Sequence, residues 1–172
     1  MSRDAQRSAC YEAERHWFHG TLMNERQSFE SLASQTREIE AAPEWQQLRR
    51  TPVTIGYNEG SRSFAQGSFL ISYALAGTGR STVCHEMAHV ITPSDVGHDH
   101  EWRSAFVWVT RLAYGDDWAD SLGAGFASSK LSFDVWPLER TTPVFPPHLF
   151  AASHGAPLFT TTTNTPNRAI AL

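Results

Sequence analysis

The stretch Thr82-Val83-Cys84-His85-Glu86-Met87-Ala88-His89-Val90-Ile91 holds three strongly polar side chains in an otherwise apolar run, and those three form the pattern His-Glu-x-x-His. On a helix, His85 and His89 are one turn apart and project from the same side. Val83, Met87 and Val90 fall on the opposite side with Ile91 beside them, while Cys84 and Ala88 accompany the histidines. A surface helix would carry Lys, Glu or Gln in those places, so this helix is expected to be buried nearly all round. Buried imidazoles and a buried carboxylate need partners, because stranding them costs several kcal/mol. One metal ion satisfies all three: the imidazoles bind Zn²⁺, and Glu86 orients and deprotonates a water that the metal acidifies. The pattern points to metal-assisted hydrolysis, most often of a peptide bond. The plainer alternative has the histidines on backbone carbonyls and Glu86 paired with Arg103 or Arg80.

Catalytic zinc usually takes three protein ligands and keeps one position for water. Half of the chain's eight histidines lie between His85 and His100, so the third ligand is sought just downstream. Pro93 stops the first helix and Thr92-Pro93-Ser94-Asp95 reads as a turn. A second helix then runs from about Asp99 to Gly115, with Trp102, Ala105, Phe106, Val109, Leu112 and Ala113 as its apolar stripe. His98, at the entrance of that helix, ranks first as third ligand. His100, a turn away, is the second candidate, or else a group that supports the ligands or binds substrate. Asp95 is third. It has the metzincin offset from His89, but Thr92 stands where metzincins need a glycine. Glu101 would make a gluzincin-like set, though such a glutamate usually comes from further along the chain.

His85-Glu86-Met87-Ala88-His89 followed by Gly97-His98-x-x-Glu101-Trp102 resembles the SprT-like zincins, which follow HExxH with a His-Gly-x-x-[FW] entrance to the next helix. The likeness is closer still to a group of small actinobacterial and actinophage metallohydrolases. These open with an Arg-Asp-x-Gln-Arg-x-x-x-Tyr-x-Ala-Glu segment, matched here by Arg3-Asp4-Ala5-Gln6-Arg7-Ser8-Ala9-Cys10-Tyr11-Glu12-Ala13-Glu14. Their Gly-acidic helix opening is matched by Gly115-Asp116-Asp117-Trp118. The resemblance spans about Arg3 to Leu131 and implies metal ligands at His85, His89 and His98 with Glu86 as base. It departs at Asp99, where the family usually has glycine; an Asp there can cap the helix or hold an imidazole.

The 172-residue chain is long enough for one domain with a real core, and 41% of it is hydrophobic. A net charge of −4 argues against broad nucleic-acid binding, which needs a basic face. Cys10 and Cys84, far apart and without a CxxC, indicate neither a zinc ribbon nor a disulfide framework. The polar start, Met1 to Arg7, does not read as a signal peptide, and the apolar run from Phe69 to Gly77 is too short to span a bilayer. A cytoplasmic protein without membrane contact is expected, in the bacterial host's cytoplasm if phage-encoded.

Helices are expected over residues 3–18, with Gly20 as the stop, and over 24–42, opened by Asn24. A short helical piece restarts at Pro43. Residues 51–57 read as a strand, 58–61 as a turn and 64–74 as a second strand. Gly77-Thr78-Gly79 reads as a turn rather than a phosphate loop. Helices of 98–114 and about 116–130 follow the metal helix. The fold class is α+β with order α-α-β-β-α-α-α: a small, mostly helical zincin-like domain over 1–139, with a short sheet beside the HExxH helix forming one wall of a cleft. Residues 140–172 form an irregular Pro/Thr-rich arm that keeps apolar anchors such as Val144, Phe145 and Phe150. The arm either straps over its own domain or makes a subunit or assembly contact.

Two classes of function follow. The first is a zinc-dependent hydrolase of peptide or protein substrates, with His100, Tyr73 and Tyr114 as candidate donors to the transition state and an exposed strand edge near 64–74 to seat the substrate. The second is a non-catalytic structural or assembly protein, of phage association, that retains a zinc-binding zincin scaffold. Intact Glu86 favours the first, since a structural site needs no base.

Overall fold

The computed structural model describes residues 6–74 and 78–137. The chain divides into two units, Met1–Glu139 and Arg140–Leu172. The arm, with His148, His154 and its apolar anchors, lies outside the described residues, as do Arg3, Asp4 and Gly77.

The described part of the first unit is α+β, with six α-helices and a three-stranded sheet. Helix α1 spans Arg7–Phe18 and buries Cys10, Ala13 and Phe18. Helix α2 spans Phe29–Ala41, and Pro43 opens α3, Pro43–Leu48. Strands β1 (Thr54–Asn58), β2 (Phe64–Gln66) and β3 (Leu70–Ala74) precede α4 (Arg80–Ile91), α5 (His100–Tyr114) and α6 (Asp116–Ser128). β3 is the central strand, parallel to β1 and antiparallel to β2.

Two expectations need correction. The helix assigned from Asn24 begins at Phe29. Residues 22–24 form a 3₁₀ turn capped by Thr21, and Ser28 caps α2 by accepting a hydrogen bond from the Ser31 amide at 3.2 Å. Between them the chain is held extended, because the Gln27 amide donates to the Thr78 carbonyl on the approach to α4. The run 64–74, expected as one strand, is a hairpin. Gly67 has φ +54° and opens a three-residue turn between Gln66 and its partner Leu70, a backbone region that favours glycine. The order is therefore α-α-α-β-β-β-α-α-α, with the 3₁₀ turn after α1.

The core is helical. α4 packs on α5, α5 on α6, and α6 on α1, while β2 and β3 lie against α4. Nine of the twelve α4 residues are buried, which explains why its sequence lacks a charged face. Glu40 of α2 is buried too, and its carboxylate is satisfied by the Val53 amide at 2.6 Å and by Arg37. Helices α1 and α6 meet so closely that a Cβ on Gly125 would lie 2.1 Å from Cδ1 of Trp17, near the root of that side chain.

This contact yields a test. Helix propensity alone would make Gly125→Ala stabilising by about 1 kcal/mol. The overlap with Trp17 should outweigh that gain and leave a net loss of about 1–2 kcal/mol. At Gly56 an added Cβ meets nothing within 4 Å, so Gly56→Ala should hold or raise stability. Urea unfolding of the two variants checks the pair; equal midpoints would contradict the packing described.

Candidate metal centre

Helix α4 places His85 and His89 one turn apart, and the turn into α5 brings a third imidazole to them. Among the described residues, His85, His89 and His98 form the one group of three or more His, Cys, Asp or Glu side chains able to share an ion, with ligand atoms all within 4.8 Å of one another. Nε2 of His85 and Nε2 of His98 are 3.2 Å apart. Tetrahedral zinc with Zn–N near 2.0–2.1 Å places its donors about 3.3 Å from each other, so this spacing fits such an ion. The same contact can be closed by a single proton, which makes metal uptake a competition with protons.

His98 is carried by the turn between α4 and α5. Gly97 takes φ +61° there and swings the chain back. The His98 carbonyl is then gripped from two sides, by Nη1 of Arg103 at 2.8 Å and the Cys10 thiol at 3.3 Å. Arg103, itself buried, also donates to the Ser132 carbonyl and to Oε1 of Gln6. It is thus a brace for the His98 backbone, and among the described residues neither it nor Arg80, the two partners of the plainer reading, forms an ion pair with Glu86.

The rival third ligands are placed elsewhere. Nε2 of His100 faces the Asp134 carboxylate at 3.0 Å, at the surface. Asp95 is exposed in the turn. Asp99 caps α5, its Oδ1 accepting from the amides of Glu101 at 2.9 Å and Trp102 at 3.2 Å. Where the resembled family has glycine, this chain therefore has a helix cap, and His98 keeps its place one residue earlier.

Three features of the centre emerge only in the folded chain. Oε2 of Glu14, on α1, lies 3.1 Å from Nδ1 of His85. With that nitrogen donating to the carboxylate, Nε2 of His85 is left with its lone pair toward His98, which is the tautomer that a metal requires. The Tyr11 ring stacks on His85 with centroids 5.2 Å apart and planes within 11°, and it also meets His98. Trp102, fully buried on α5, touches all three imidazoles, at 4.7, 5.1 and 4.4 Å between centroids, and forms an apolar backing. The signal for the first two lay in the amino-terminal segment that carries the family resemblance. Gln6 holds Arg103, Arg7 sits over Tyr11 at 5.5 Å, Tyr11 and Glu14 contact His85, and Ala13 is buried behind them.

Glu86 is buried beside His85, and burial raises its pKa despite the favourable nearness of His85 and a hydrogen bond from the Ala65 amide of β2. Burial lowers the pKa of His89 to about 2, helped by the charges of His85 and His98, so its imidazole is neutral at ordinary pH and able to ligate. Burial also disfavours charging His85, but Glu14, and less strongly Glu86, outweigh it and raise the pKa. The Cys84 thiol is pushed far up by burial and stays an apolar filler.

A cleft of about 890 Å³ opens on this centre, lined by His85, Glu86, Tyr11 and Glu14 together with Arg7, Arg15, Arg62 and the hydroxyls near the start of α4. None of the three donors expected from sequence lines it. Tyr73 is fully buried with its hydroxyl 2.7 Å from Thr36, Tyr114 donates to Gln35, and His100 faces Asp134. Tyr11 is the phenol on the cleft wall.

No family model, curated protein or solved structure matches this chain. Its own geometry predicts that Glu14→Gln weakens zinc binding by about 10–100-fold, the usual effect of removing a carboxylate that orients a ligand histidine. His98→Ala should lose zinc under conditions where His100→Ala keeps it. Competition titration with a chromogenic chelator measures all three; wild-type affinity in Glu14→Gln would remove Glu14 from the centre.

Proposed function

We propose that the chain is a zinc-dependent hydrolase of peptide bonds with a zincin-like arrangement of its site. The observation that carries this reading is Glu86: a carboxylate buried at 5% exposure next to three convergent imidazoles, yet lining an open cleft. A buried carboxylate costs stability at neutral pH, and a purely structural metal centre has no use for it.

His85, His89 and His98 would hold the ion, with Glu14 fixing the His85 ring and Arg103 and Cys10 fixing the His98 backbone. Zinc bound there supplies Lewis acidity and lowers the pKa of a water toward neutrality. Glu86 takes the proton of the attacking water on its carboxylate and returns it to the leaving amine nitrogen. Tyr11, whose phenol is pushed further up by partial burial, donates a hydrogen bond to the carbonyl oxygen as negative charge grows on it. β2 is an edge strand of the sheet, and Ser61, Arg62 and Ser63 just before it line the cleft, so an extended substrate would run along that edge.

Glu86→Gln should keep zinc and lose turnover of a casein or peptide-library substrate. Tyr11→Phe should keep zinc and lower kcat by about 10–1,000-fold with KM little changed, the range found for removing one transition-state donor. Steady-state kinetics on zinc-loaded protein checks both. Equal background rates in wild type and Glu86→Gln would contradict the enzyme reading and favour a zinc-stabilised structural protein.

A further inference from the structure

Charge is distributed unevenly over this molecule. The chain as a whole is acidic, with net charge −4. The cleft is not. Arg7, Arg15 and Arg62 all line it, and its carboxylates are Glu14 and Glu86. Glu14 is bonded to His85, and Glu86 is buried beside that ring. Among the described residues, Arg7, Arg15 and Arg62 enter no ion pair with a carboxylate, and Arg7 instead lies over the Tyr11 ring. They come from two separate parts of the chain, α1 and the segment before β2, and converge on one cavity. Around them the cleft is lined by further donors, the hydroxyls of Ser8, Ser61, Ser63, Thr78, Ser81 and Thr82 with Asn24 and His19.

From this we infer that the cleft selects peptides carrying carboxylate side chains beside the bond presented to Glu86. Guanidinium groups on both walls offer forked donors that match carboxylates, and the surrounding hydroxyls add donors without adding negative charge. Two or three partly exposed charge pairs each contribute modestly, so the selection is one of about ten-fold rather than absolute. A nucleic-acid strand is a poorer occupant, because the acidic remainder of the protein repels a long polyanion that extends beyond the cleft. The placement of the acidic side chains beside a scissile bond rests on the hydrolase reading; the preference itself does not.

The test reads binding, not turnover. Fluorescein-labelled peptides of one length, with Glu, Gln or Lys at the same positions, are titrated by anisotropy against the metal-free full chain and against zinc-loaded Glu86→Gln. The metal-free arm removes zinc as a source of positive charge. The Glu peptide should bind about ten-fold more tightly than the Gln peptide at low salt in both arms, with the gap closing at about 0.5 M salt as exposed charges are screened. The double substitution Arg15→Ala and Arg62→Ala, both at exposed positions, should bring the ratio near one while circular dichroism and zinc content stay unchanged. Equal binding of the Glu and Gln peptides, no measurable binding of either, a preference that survives the double substitution, or tighter binding of an oligo-thymidine of matched length would each overturn the inference. Should the protein discriminate among these peptides while the zinc-loaded wild type, assayed separately, cleaves none of them, the hydrolase reading fails and the cleft's selectivity stands.

Discussion

The bond between Glu14 and His85 is the contact on which the rest of the centre depends. It joins α1 to α4 across 71 residues of sequence and sets the tautomer of the first imidazole. Without it, His85 could present either ring nitrogen to its neighbours, and the lone pair facing His98 would not be fixed. The same helix supplies Cys10 to the His98 carbonyl and, through Gln6 at its N-cap, steadies the arginine that grips that carbonyl. One amphipathic helix thus orients two of the three imidazoles, and its other neighbour, α6, pins it by the close approach of Gly125 to Trp17.

Burial makes these supports necessary. α4 runs through the core, and its polar triplet sits where apolar side chains would be more stable. Trp102 and Phe106 exclude water from the back of the imidazoles, which strengthens each polar contact within the centre and raises the cost of any that is missing. On the side of His85 the cleft brings Glu86 and Tyr11 together. A site closed behind and open in front suits an ion with three protein ligands and one exchangeable position.

The elements nearest the centre were the most legible in the sequence. The apolar run around His85 announced a buried helix, Pro93 marked its end, and the stripe from Trp102 to Ala113 announced α5, so His98 could be located by its place between them. What failed, failed for non-local reasons. The start of α2 moved because Thr78, about fifty residues on, takes the Gln27 amide. The hairpin of β2 and β3 was hidden because Phe69, exposed at 54%, continues the apolar alternation through a turn that Gly67 alone signals. Tyr11 and Glu14 lie on a helix whose spacing says nothing about a metal; only the resemblance of that segment to a family opening singled them out, and it assigned them no role. Tyr73 and Tyr114, two of the candidate donors, are each held by α2, through Thr36 and Gln35.

If three imidazoles, and no other side chain, bind the metal here, X-ray absorption at the zinc edge of the zinc-loaded protein will show it. Four nitrogen or oxygen neighbours at about 2.0 Å are expected, with the outer-shell scattering of three imidazoles. A sulfur neighbour at about 2.3 Å, or a shell of oxygens with fewer than three imidazoles, would contradict this ligand set.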